Sequence, residues 1–149
     1  MTKLPTFMLF TDGACLGNPG PGGWAYILRD SSGNEVVGSG CEPNTTNQRM
    51  EVTAVLRALE SLVESSAVEI HADSQYVTKG LTEWIDGWIA KGWKNASKKP
   101  VANQDLWKPL AGLREIHAIT TFWVKGHAGH PENERCDTIA SAEAEIINQ

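Results

Sequence analysis

Four carboxylates are the residues whose type and setting indicate chemistry: Asp12, Glu51, Asp73 and Asp137. Each is predicted to lie where a strand or helix begins or ends, beside polar or glycine-rich segments suited to contacting a nucleic-acid backbone. If the four side chains converge, their mutual repulsion requires cations between them. Mg²⁺ prefers carboxylate oxygens and substrate phosphates, and two such ions can activate an attacking water and stabilise a leaving 3′ oxygen. The four acids together therefore indicate a metal-dependent phosphodiester hydrolase, although each one alone fits an ordinary helix cap or surface charge.

The segment from His127 to His130 has two interpretations. With Cys136 the two histidines could ligate zinc, but no fourth ligand follows at a familiar spacing. A histidine beside a glycine and near bound metals can instead carry a proton to or from water or the leaving group, and His127 is the candidate for this role. His130 is predicted to help begin a helix, whereas His71 and His117 are interpreted as structural or surface residues.

Neutral polar side chains are suited to a minor groove that displays base edges and 2′-hydroxyls, because they donate and accept hydrogen bonds without charge. The candidates are Asn18, Thr46, Asn47, Gln48 and Gln75. Turn and capping chemistry explains the same residue types, and for Asn47 both can hold.

A basic, aromatic stretch is the second nucleic-acid signal. The chain has a formal net charge of −5, yet residues 88–108 contain five lysines against one aspartate, and a local patch matters more than the total. Trp84 and Trp88 share a helical face, whereas Trp93 and Trp107 are predicted to pack between helices. An exposed ring beside lysines suits the sugars and phosphates of a strand.

The elements that must position these groups follow from periodicity and turn residues. Residues 7–10 are apolar on both faces, as in a central strand that delivers Asp12 past its middle or at its end. Residues 17–23 are predicted to be a loop because Gly and Pro disfavour both ladder and helix. The motif Thr45-x-x-Gln48 is typical of a capping box at a helix start between Thr45 and Asn47. The remaining elements are a hairpin of residues 24–29 and 35–40, a helical face carrying Val52, Val55, Leu56, Leu59, Leu62 and Val63, a strand at 68–72, a helix at 76–89 interrupted at Gly80 and Gly87, a helix at 104–116, a strand at 118–124 and a closing helix at 131–147.

This order predicts an α/β fold with a mixed sheet, in which the first and fourth strands are parallel neighbours. The chain of 149 residues is expected to form a single domain, 1–149, of adequate size for a core. Three irregularly spaced cysteines disfavour a disulfide scaffold and fit a reducing compartment. With no apolar run of about 20 residues and no signal peptide, we expect a cytoplasmic protein that makes no membrane contact. Nothing in the sequence demands more than a monomer.

Six ordered segments resemble the motifs of bacterial type 1 ribonuclease H. They are Thr11-Asp-Gly-Ala-Cys-Leu-Gly-Asn-Pro-Gly20, Thr46-Asn-Gln-Arg-Met-Glu51, Asp73-Ser-Gln-Tyr76, Gly92-Trp-Lys94, Lys99-Pro-Val-Ala-Asn103 with Asp105-Leu-Trp107, and the run from Val124 to Asp137. The resemblance covers essentially the whole chain from Phe7. It implies a ribonuclease H-like fold, with a five-stranded mixed sheet flanked by helices, and an endoribonuclease that hydrolyses the RNA strand of RNA–DNA hybrids. Products of that family carry 3′-hydroxyl and 5′-phosphate ends.

The resemblance also implies roles for individual residues. Asp12, Glu51, Asp73 and Asp137 would hold two Mg²⁺, with Mn²⁺ as a substitute, His127 would assist proton transfer or product departure, and Glu134 would influence the metals. The minor-groove residues would be Cys15, Gly17, Asn18, Asn47, Gln48 and Gln75. Thr46 and Asn103 would bind a DNA phosphate, and Trp84 would line the DNA channel. Primer removal and R-loop clearance follow from family membership alone.

Two departures from the family pattern concern affinity rather than chemistry. The basic protruding element of the family has Ile89-Ala90-Lys91 here and includes the acidic Asp86, while Asn44 stands where some members place an arginine. Fewer phosphate contacts weaken binding and make its salt dependence shallower. We therefore expect lower hybrid affinity than in a member with a fully basic protrusion.

Three alternatives stay open from the sequence. One is a DNA-processing or Holliday-junction nuclease on the same architecture, which the His127 segment and the basic stretch disfavour. Another is a non-catalytic hybrid-binding module, which would be expected to lack at least one acid. The third is a zinc-bound structural domain.

Overall fold

The computed structural model describes residues 4–125 and 130–148. Its five strands are β1 (Thr6–Cys15), β2 (Gly20–Asp30), β3 (Glu35–Thr45), β4 (Ala67–Ala72) and β5 (Ala118–Trp123). Its helices are α1 (Asn47–Glu60), α2 (Gln75–Lys79), a π-helical segment (Gly80–Trp84), α3 (Ile85–Ala90), α4 (Gln104–Ile116) and α5 (Pro131–Asn148).

The strands form one mixed sheet in the order β3-β2-β1-β4-β5. β1 to β3 pair antiparallel, as two successive strand reversals require, while β1, β4 and β5 are parallel and are joined by helical crossovers. The predicted mixed sheet with β1 and β4 as parallel neighbours is confirmed. β1 is central, which explains its apolar run, because side chains on both of its faces are covered.

Two clusters of buried side chains cover the two faces of the sheet. Leu9 belongs to the larger cluster with α1 and α4, whereas the next residue, Phe10, belongs to the smaller cluster with α5. This alternation follows from the two-residue period of a strand. The larger cluster includes the fully buried Trp107, which confirms its predicted packing role.

The predicted loop at residues 17–23 is wrong beyond Pro19, because β2 begins at Gly20. Pro21 is accommodated where the pairing of β2 with β3 shifts register between Gly20 and Gly22, so the missing N–H falls at a bulge. A Cβ on Gly23 would lie 2.1 Å from the carbonyl oxygen of Ala140 on α5. Gly23 therefore permits close packing of α5 on β2.

The predicted start of α1 between Thr45 and Asn47 is confirmed, but the predicted cap and two other helix features differ. The N-cap of α1 is Thr46, whose hydroxyl accepts from Arg49 N, whereas Thr45 ends β3. Because α1 ends at Glu60, Leu62 and Val63 lie outside its apolar face. Gly87 lies inside α3 and does not interrupt it.

Gly80 does mark a change, since the π-helical segment begins there. A Cβ on Gly80 would lie 2.3 Å from the ring of Trp107, so the glycine allows that ring to pack against the helix. Among the described residues, no helix combines the length and the apolar character that a membrane span needs.

Candidate active site

Three of the four predicted acids meet at one edge of the sheet. Asp12, Glu51 and Asp73 each offer an oxygen, and these oxygens all lie within 4.8 Å of one another. Thr11 and Ala72 are partners in the parallel pairing of β1 and β4, so the acids that follow them emerge side by side. Asp12 lies inside β1, just past its middle as the strand prediction had it, and Glu51 lies in the second turn of α1. The prediction that each acid marks an element boundary therefore holds for Asp73 but not for these two.

Gly13 allows α1 to approach β1 closely enough to deliver Glu51. A Cβ at Gly13 would lie 2.5 Å from the backbone nitrogen of Glu51 and 2.6 Å from the carbonyl carbon of Met50. The Gly13 N–H also donates to Asp12 Oδ1 at 2.8 Å. The glycine of the Thr11-Asp-Gly13 motif therefore serves the helix–strand contact and the orientation of the carboxylate.

Burial makes this group of acids electrostatically unfavourable. Asp12 is 2% exposed and Glu51 is 7% exposed. Burial, followed by the charges of Asp12 and Asp73, raises the pKa of Glu51 well above its ordinary value. The buried Oε2 of Glu51 accepts no hydrogen bond from any described residue. An all-carboxylate donor set with such an oxygen suits a hard divalent cation, so this group could hold a metal.

The fourth acid, Asp137, is half-buried in the second turn of α5 and is not part of the three-residue group. Its neighbour Cys136 donates from Sγ to Phe10 O at 3.4 Å, which fixes this turn of α5 against β1. Burial, with the charge of Asp12, raises the pKa of the Cys136 thiol to about 12, and this disfavours a thiolate zinc ligand.

The predicted proton carrier, His127, lies outside the described residues. Among its neighbours, His130 accepts from Glu134 N at 3.0 Å through its carbonyl oxygen, which fits the predicted role at the start of α5. Glu134 itself is exposed in the first turn of α5. Asn133 is fully buried and donates from Nδ2 to His71 O at 3.1 Å, so it ties the same turn to β4.

Two of the predicted minor-groove residues, Asn18 and Asn47, are in contact. Asn47 N donates to Asn18 Oδ1 at 3.1 Å, and this joins the segment between β1 and β2 to the first turn of α1. Cys15 contacts the same two segments, because its Sγ donates to Gly20 O and Thr45 O, each at 3.4 Å. The remaining members, Gly17, Gln48 and Gln75, are exposed.

The two predicted phosphate ligands, Thr46 and Asn103, are linked through Arg49. Arg49 N donates to Thr46 Oγ1 at 3.2 Å, and Arg49 Nη1 donates to Asn103 Oδ1 at 3.4 Å. The guanidinium also donates to both carboxylate oxygens of Asp105, at 2.9 and 2.6 Å. Asp105 and Glu42 raise the pKa of Arg49, and its hydrogen bonds lower the pKa of Asp105.

Trp84 is 38% exposed at the end of the π-helical segment. Its ring centroid lies 6.1 Å from that of Tyr76 and 6.0 Å from that of Trp88. A cavity of about 260 Å³ beside it is lined by Trp88, Lys91 and Lys94 among others. The exposed ring beside lysines matches the surface expected from the sequence.

Sequence reasoning missed three supporting residues. Arg49 and Tyr76 lie inside quoted motifs, but their partners are distant in sequence: Tyr76 Oη accepts from Asn103 Nδ2 at 3.2 Å and from Trp107 Nε1 at 3.1 Å. Trp123, on β5, donates from Nε1 to Asp73 O at 3.1 Å. A polar side chain in or next to a motif is the only sequence signal for such contacts, and it does not identify the partner.

Comparisons with known proteins agree with this arrangement. The family model described as RNase H matches residues 5–145. Ribonuclease H of Bradyrhizobium sp. (strain ORS 278) is 55% identical over 140 residues, which are 94% of this chain and 90% of the relative. Ribonuclease HI of Caulobacter vibrioides (strain ATCC 19089 / CIP 103742 / CB 15) is 55% identical over 137 residues, 92% of this chain and 91% of the relative.

Solved structures show the same likeness. LC9-RNase H1, a type 1 RNase H with the type 2 active-site motif, superposes with a TM-score of 0.86 at 31% identity, covering 98% of this chain and 75% of that one. LC11-RNase H1, solved in complex with RNA/DNA hybrid, has a TM-score of 0.67 at 21% identity over 96% of this chain and 99% of that one, and shares the fold.

Proposed function

Because the chain belongs to the ribonuclease H family, we propose that it is an endoribonuclease that hydrolyses the RNA strand of RNA–DNA hybrids. Its single ribonuclease H domain comprises residues 1–149, and its products carry 3′-hydroxyl and 5′-phosphate ends. The observation that carries the proposal is the convergence of Asp12, Glu51 and Asp73 within 4.8 Å at the edge of the two central parallel strands.

The metal ligands in this proposal are Asp12, Glu51, Asp73 and, from α5, Asp137. Their all-oxygen donor set favours two Mg²⁺ ions, with Mn²⁺ as a substitute. Bound metal supplies an activated water and charge to stabilise the leaving oxygen. Among the chain's own groups, Gly13 N–H orients Asp12. Trp123 fixes the backbone of Asp73.

His127 is proposed to accept or deliver a proton at the water or the leaving oxygen, since an imidazole titrates near neutral pH. Glu134, in the same region of the chain, is proposed to influence metal occupancy. The metal-binding acids and His127 would then act on the same phosphodiester. Asp137 and Glu134 would approach it from α5.

Recognition of a hybrid requires one strand to be identified as RNA and the other as DNA. The 2′-hydroxyl donates and accepts, and the neutral groups around the Asn18–Asn47 contact can do both. These groups are Cys15, Gly17, Asn18, Asn47, Gln48 and Gln75. Thr46 and Asn103 bind a phosphate of the DNA strand, and Trp84 lines the channel for that strand. The hybrid bound by LC11-RNase H1 supports this choice of substrate.

The proposed cellular setting follows from the cysteine content and from family membership. The three free cysteines suit a reducing compartment, and we propose a cytoplasmic monomer. Primer removal and clearance of R-loops are the roles proposed from family membership.

The deciding experiment is cleavage of a strand-labelled RNA–DNA hybrid with Mg²⁺ by the wild type and by Asp12→Asn. We expect cuts in the RNA strand only, dependent on both the metal and Asp12, with duplex DNA and duplex RNA left intact. Cleavage of duplex DNA would instead support the nuclease alternative on the same fold. Tight hybrid binding without any cleavage would support the non-catalytic module.

A further inference from the structure

The two proposed phosphate ligands each contain both a donor and an acceptor. A hydroxyl can turn its oxygen or its hydrogen outward, and an amide can present either C=O or NH₂. A phosphate offers acceptor oxygens only, so it is bound when donors face it and repelled when oxygens do. The orientation of Thr46 and Asn103 therefore decides whether this surface attracts a phosphate.

One residue occupies the acceptor atom of both ligands. The backbone nitrogen of Arg49 donates to Thr46 Oγ1 at 3.2 Å, so the hydroxyl hydrogen of Thr46 is left to be donated elsewhere. The side-chain Nη1 of Arg49 donates to Asn103 Oδ1 at 3.4 Å, which turns the NH₂ group to the opposite side. Asn103 Nδ2 then donates one of its two hydrogens to Tyr76 Oη at 3.2 Å.

The backbone at Asn103 indicates that its side chain is kept for a task other than capping. Asn103 precedes α4 in the left-handed conformation, with φ 61°, and its side chain makes no capping hydrogen bond to any described residue. Its carbonyl oxygen accepts from Leu106 N and Trp107 N, as the carbonyl of a residue before a helix does, and Oδ1 accepts from Arg49 Nη1. An asparagine here would ordinarily cap the helix with Oδ1.

Arg49 itself is poorly suited to bind the phosphate. Its guanidinium donates to both oxygens of Asp105 and, from Nε at 3.4 Å, to Glu42 Oε1. Two carboxylates thus compensate its single positive charge, and its donors point at protein acceptors. The side chain is also half-buried, with 27% exposed.

We propose that Arg49 is a positioning residue for the DNA strand: by occupying the acceptor atoms of Thr46 and Asn103, it leaves only their donor groups to face a phosphate. This inference rests on the proposed function of the chain as a hybrid-cleaving enzyme. It assigns Arg49 to substrate binding even though the residue lies two positions before the metal ligand Glu51.

The test compares Arg49→Lys with the wild type in hybrid cleavage, because lysine keeps the charge but lacks the fork that reaches Asp105 and Asn103 together. We expect KM to rise about 5- to 10-fold and kcat to stay within about twofold, since the phosphate contact lies outside the reacting group. The salt dependence of binding should stay nearly unchanged, because Thr46 and Asn103 are neutral and lysine keeps the charge at position 49. Arg57→Lys, on the same helix and paired with Glu60 at 2.7 Å, is the matched control and should behave as the wild type does.

The double-mutant cycle with Asn103→Ala separates positioning from a purely structural role, since the backbone bond from Arg49 to Thr46 is kept in Arg49→Lys. If the Arg49 side chain acts through Asn103, Arg49→Lys should change KM less than twofold in the absence of that amide. An undiminished increase of KM in that background would overturn the proposal. So would a fall of kcat with KM unchanged, which would mean that the substitution disturbs Glu51.

A second variant serves if Arg49→Lys folds poorly. Asp105→Asn removes an exposed charge and loosens Arg49, so we expect KM to rise about two- to threefold. A several-fold fall of KM with a steeper salt dependence would overturn the proposal, because Arg49 would then be binding the phosphate directly. Hybrid binding measured in EDTA by fluorescence anisotropy gives the same comparisons without cleavage. A wild type that binds hybrids but does not cut them would contradict the proposed function, and the anisotropy measurement would still test the role of Arg49. In that measurement, an unchanged affinity of Arg49→Lys would contradict the inference.

Discussion

The acidic group at the sheet edge and the hydrogen-bonded network around Arg49 satisfy their charges in opposite ways. Asp12, Glu51 and Asp73 bring like charges together within 4.8 Å. In the network, Arg49 faces two carboxylates, and Asn103 is held at both ends of its amide. The acids need cations from outside the chain, whereas the network is complete before any substrate arrives.

The energetic consequence differs accordingly. Two full charges no more than 4.8 Å apart repel by at least on the order of 3 kcal/mol at an effective dielectric constant near 20. Protonation of one acid, or a bound cation, removes most of this repulsion, which adds to the larger effect of burial in raising the pKa of Glu51. The network around Arg49 contains little such repulsion, because its opposite charges are paired and partly exposed to solvent. The acidic group that binds metal therefore lowers the unfolding free energy of the metal-free protein, whereas the network that positions substrate does not.

The largest expected effect comes from Glu51→Gln, which removes one charge from the acidic group. We expect hybrid cleavage to fall by at least about 10³-fold, since the amide is a poor ligand for the catalytic metals. In EDTA the unfolding free energy should nevertheless rise by about 1–2 kcal/mol, because two repulsions are removed. Urea denaturation with and without Mg²⁺ measures this, and Mg²⁺ should stabilise the wild type more than the variant.

The matched control is Glu60→Gln, at the exposed end of the same helix. It should change neither cleavage nor the response to Mg²⁺. Lower stability of Glu51→Gln in EDTA would show that the three acids are not in repulsion and would remove the contrast between the two regions.

Gly13→Ala tests whether close approach of α1 delivers Glu51. The new Cβ would lie 2.5 Å from Glu51 N, so the helix must move away from β1. We expect a loss of about 2–3 kcal/mol of unfolding free energy and a fall of kcat by about 10- to 100-fold, since small displacements of reacting groups are costly. KM should also rise, by about two- to fivefold, because Thr46 and Arg49 belong to the same end of α1 and shift with it.

Gly112→Ala is the control for this substitution. Gly112 lies in α4 with nothing within 4 Å of its added Cβ, so alanine should stabilise the helix by about 0.5–1 kcal/mol. If Gly13→Ala were equally harmless, the placement of Glu51 would not depend on this packing.

Ala90→Lys tests the lysine- and tryptophan-bearing surface next to the network. Ala90 is exposed at the end of α3, and Asp86 nearby is paired with Arg114 at 3.1 Å, so the acidic charge there is partly compensated. An added lysine should raise hybrid affinity about two- to fivefold at low salt and steepen the salt dependence by up to one contact, with kcat unchanged. Ala90→Gln controls for side-chain size. Equal affinity of both variants would mean that this end of α3 does not approach the hybrid.

The sequence was sufficient for those parts of the site that depend on strand order. Residues 7–10 are an apolar run and residues 68–72 alternate, each strand leads to an acid, and parallel neighbours bring such acids together, so the meeting of Asp12 and Asp73 was predictable. The hairpin around residues 30–34 and the extent of α4 were predictable for the same reason, since turn residues and helical period are local signals.

What the sequence could not supply are contacts between distant segments. Gly20 to Gly23 were predicted as a loop because the helix that packs on Gly23 lies more than a hundred residues later. The sequence around Arg49 does not indicate its hydrogen bond to Asp105. Gly80 was predicted only as a helix interruption, whereas the structure shows that a glycine is needed there to make room for the ring of Trp107. Asp137 was expected to join the other three acids, yet the described group contains only three.

The smallest expected effect belongs to Asp105→Asn, whose stability should depend on pH. Hydrogen bonds from Arg49 lower the pKa of Asp105, so the ionised carboxylate is favoured in the folded state. Such a group stabilises the fold above its unfolded pKa and loses that contribution as pH falls through its folded pKa. Because the Asp105 side chain is 61% exposed, we expect the variant to lose no more than about 0.5–1 kcal/mol at pH 7. Urea denaturation near pH 7 and again below the ordinary pKa of an aspartate should show this difference shrinking toward zero. A difference that stays constant with pH would mean that the ion pair contributes nothing as an ion pair, and that Arg49 is held by Glu42 and Asn103 instead.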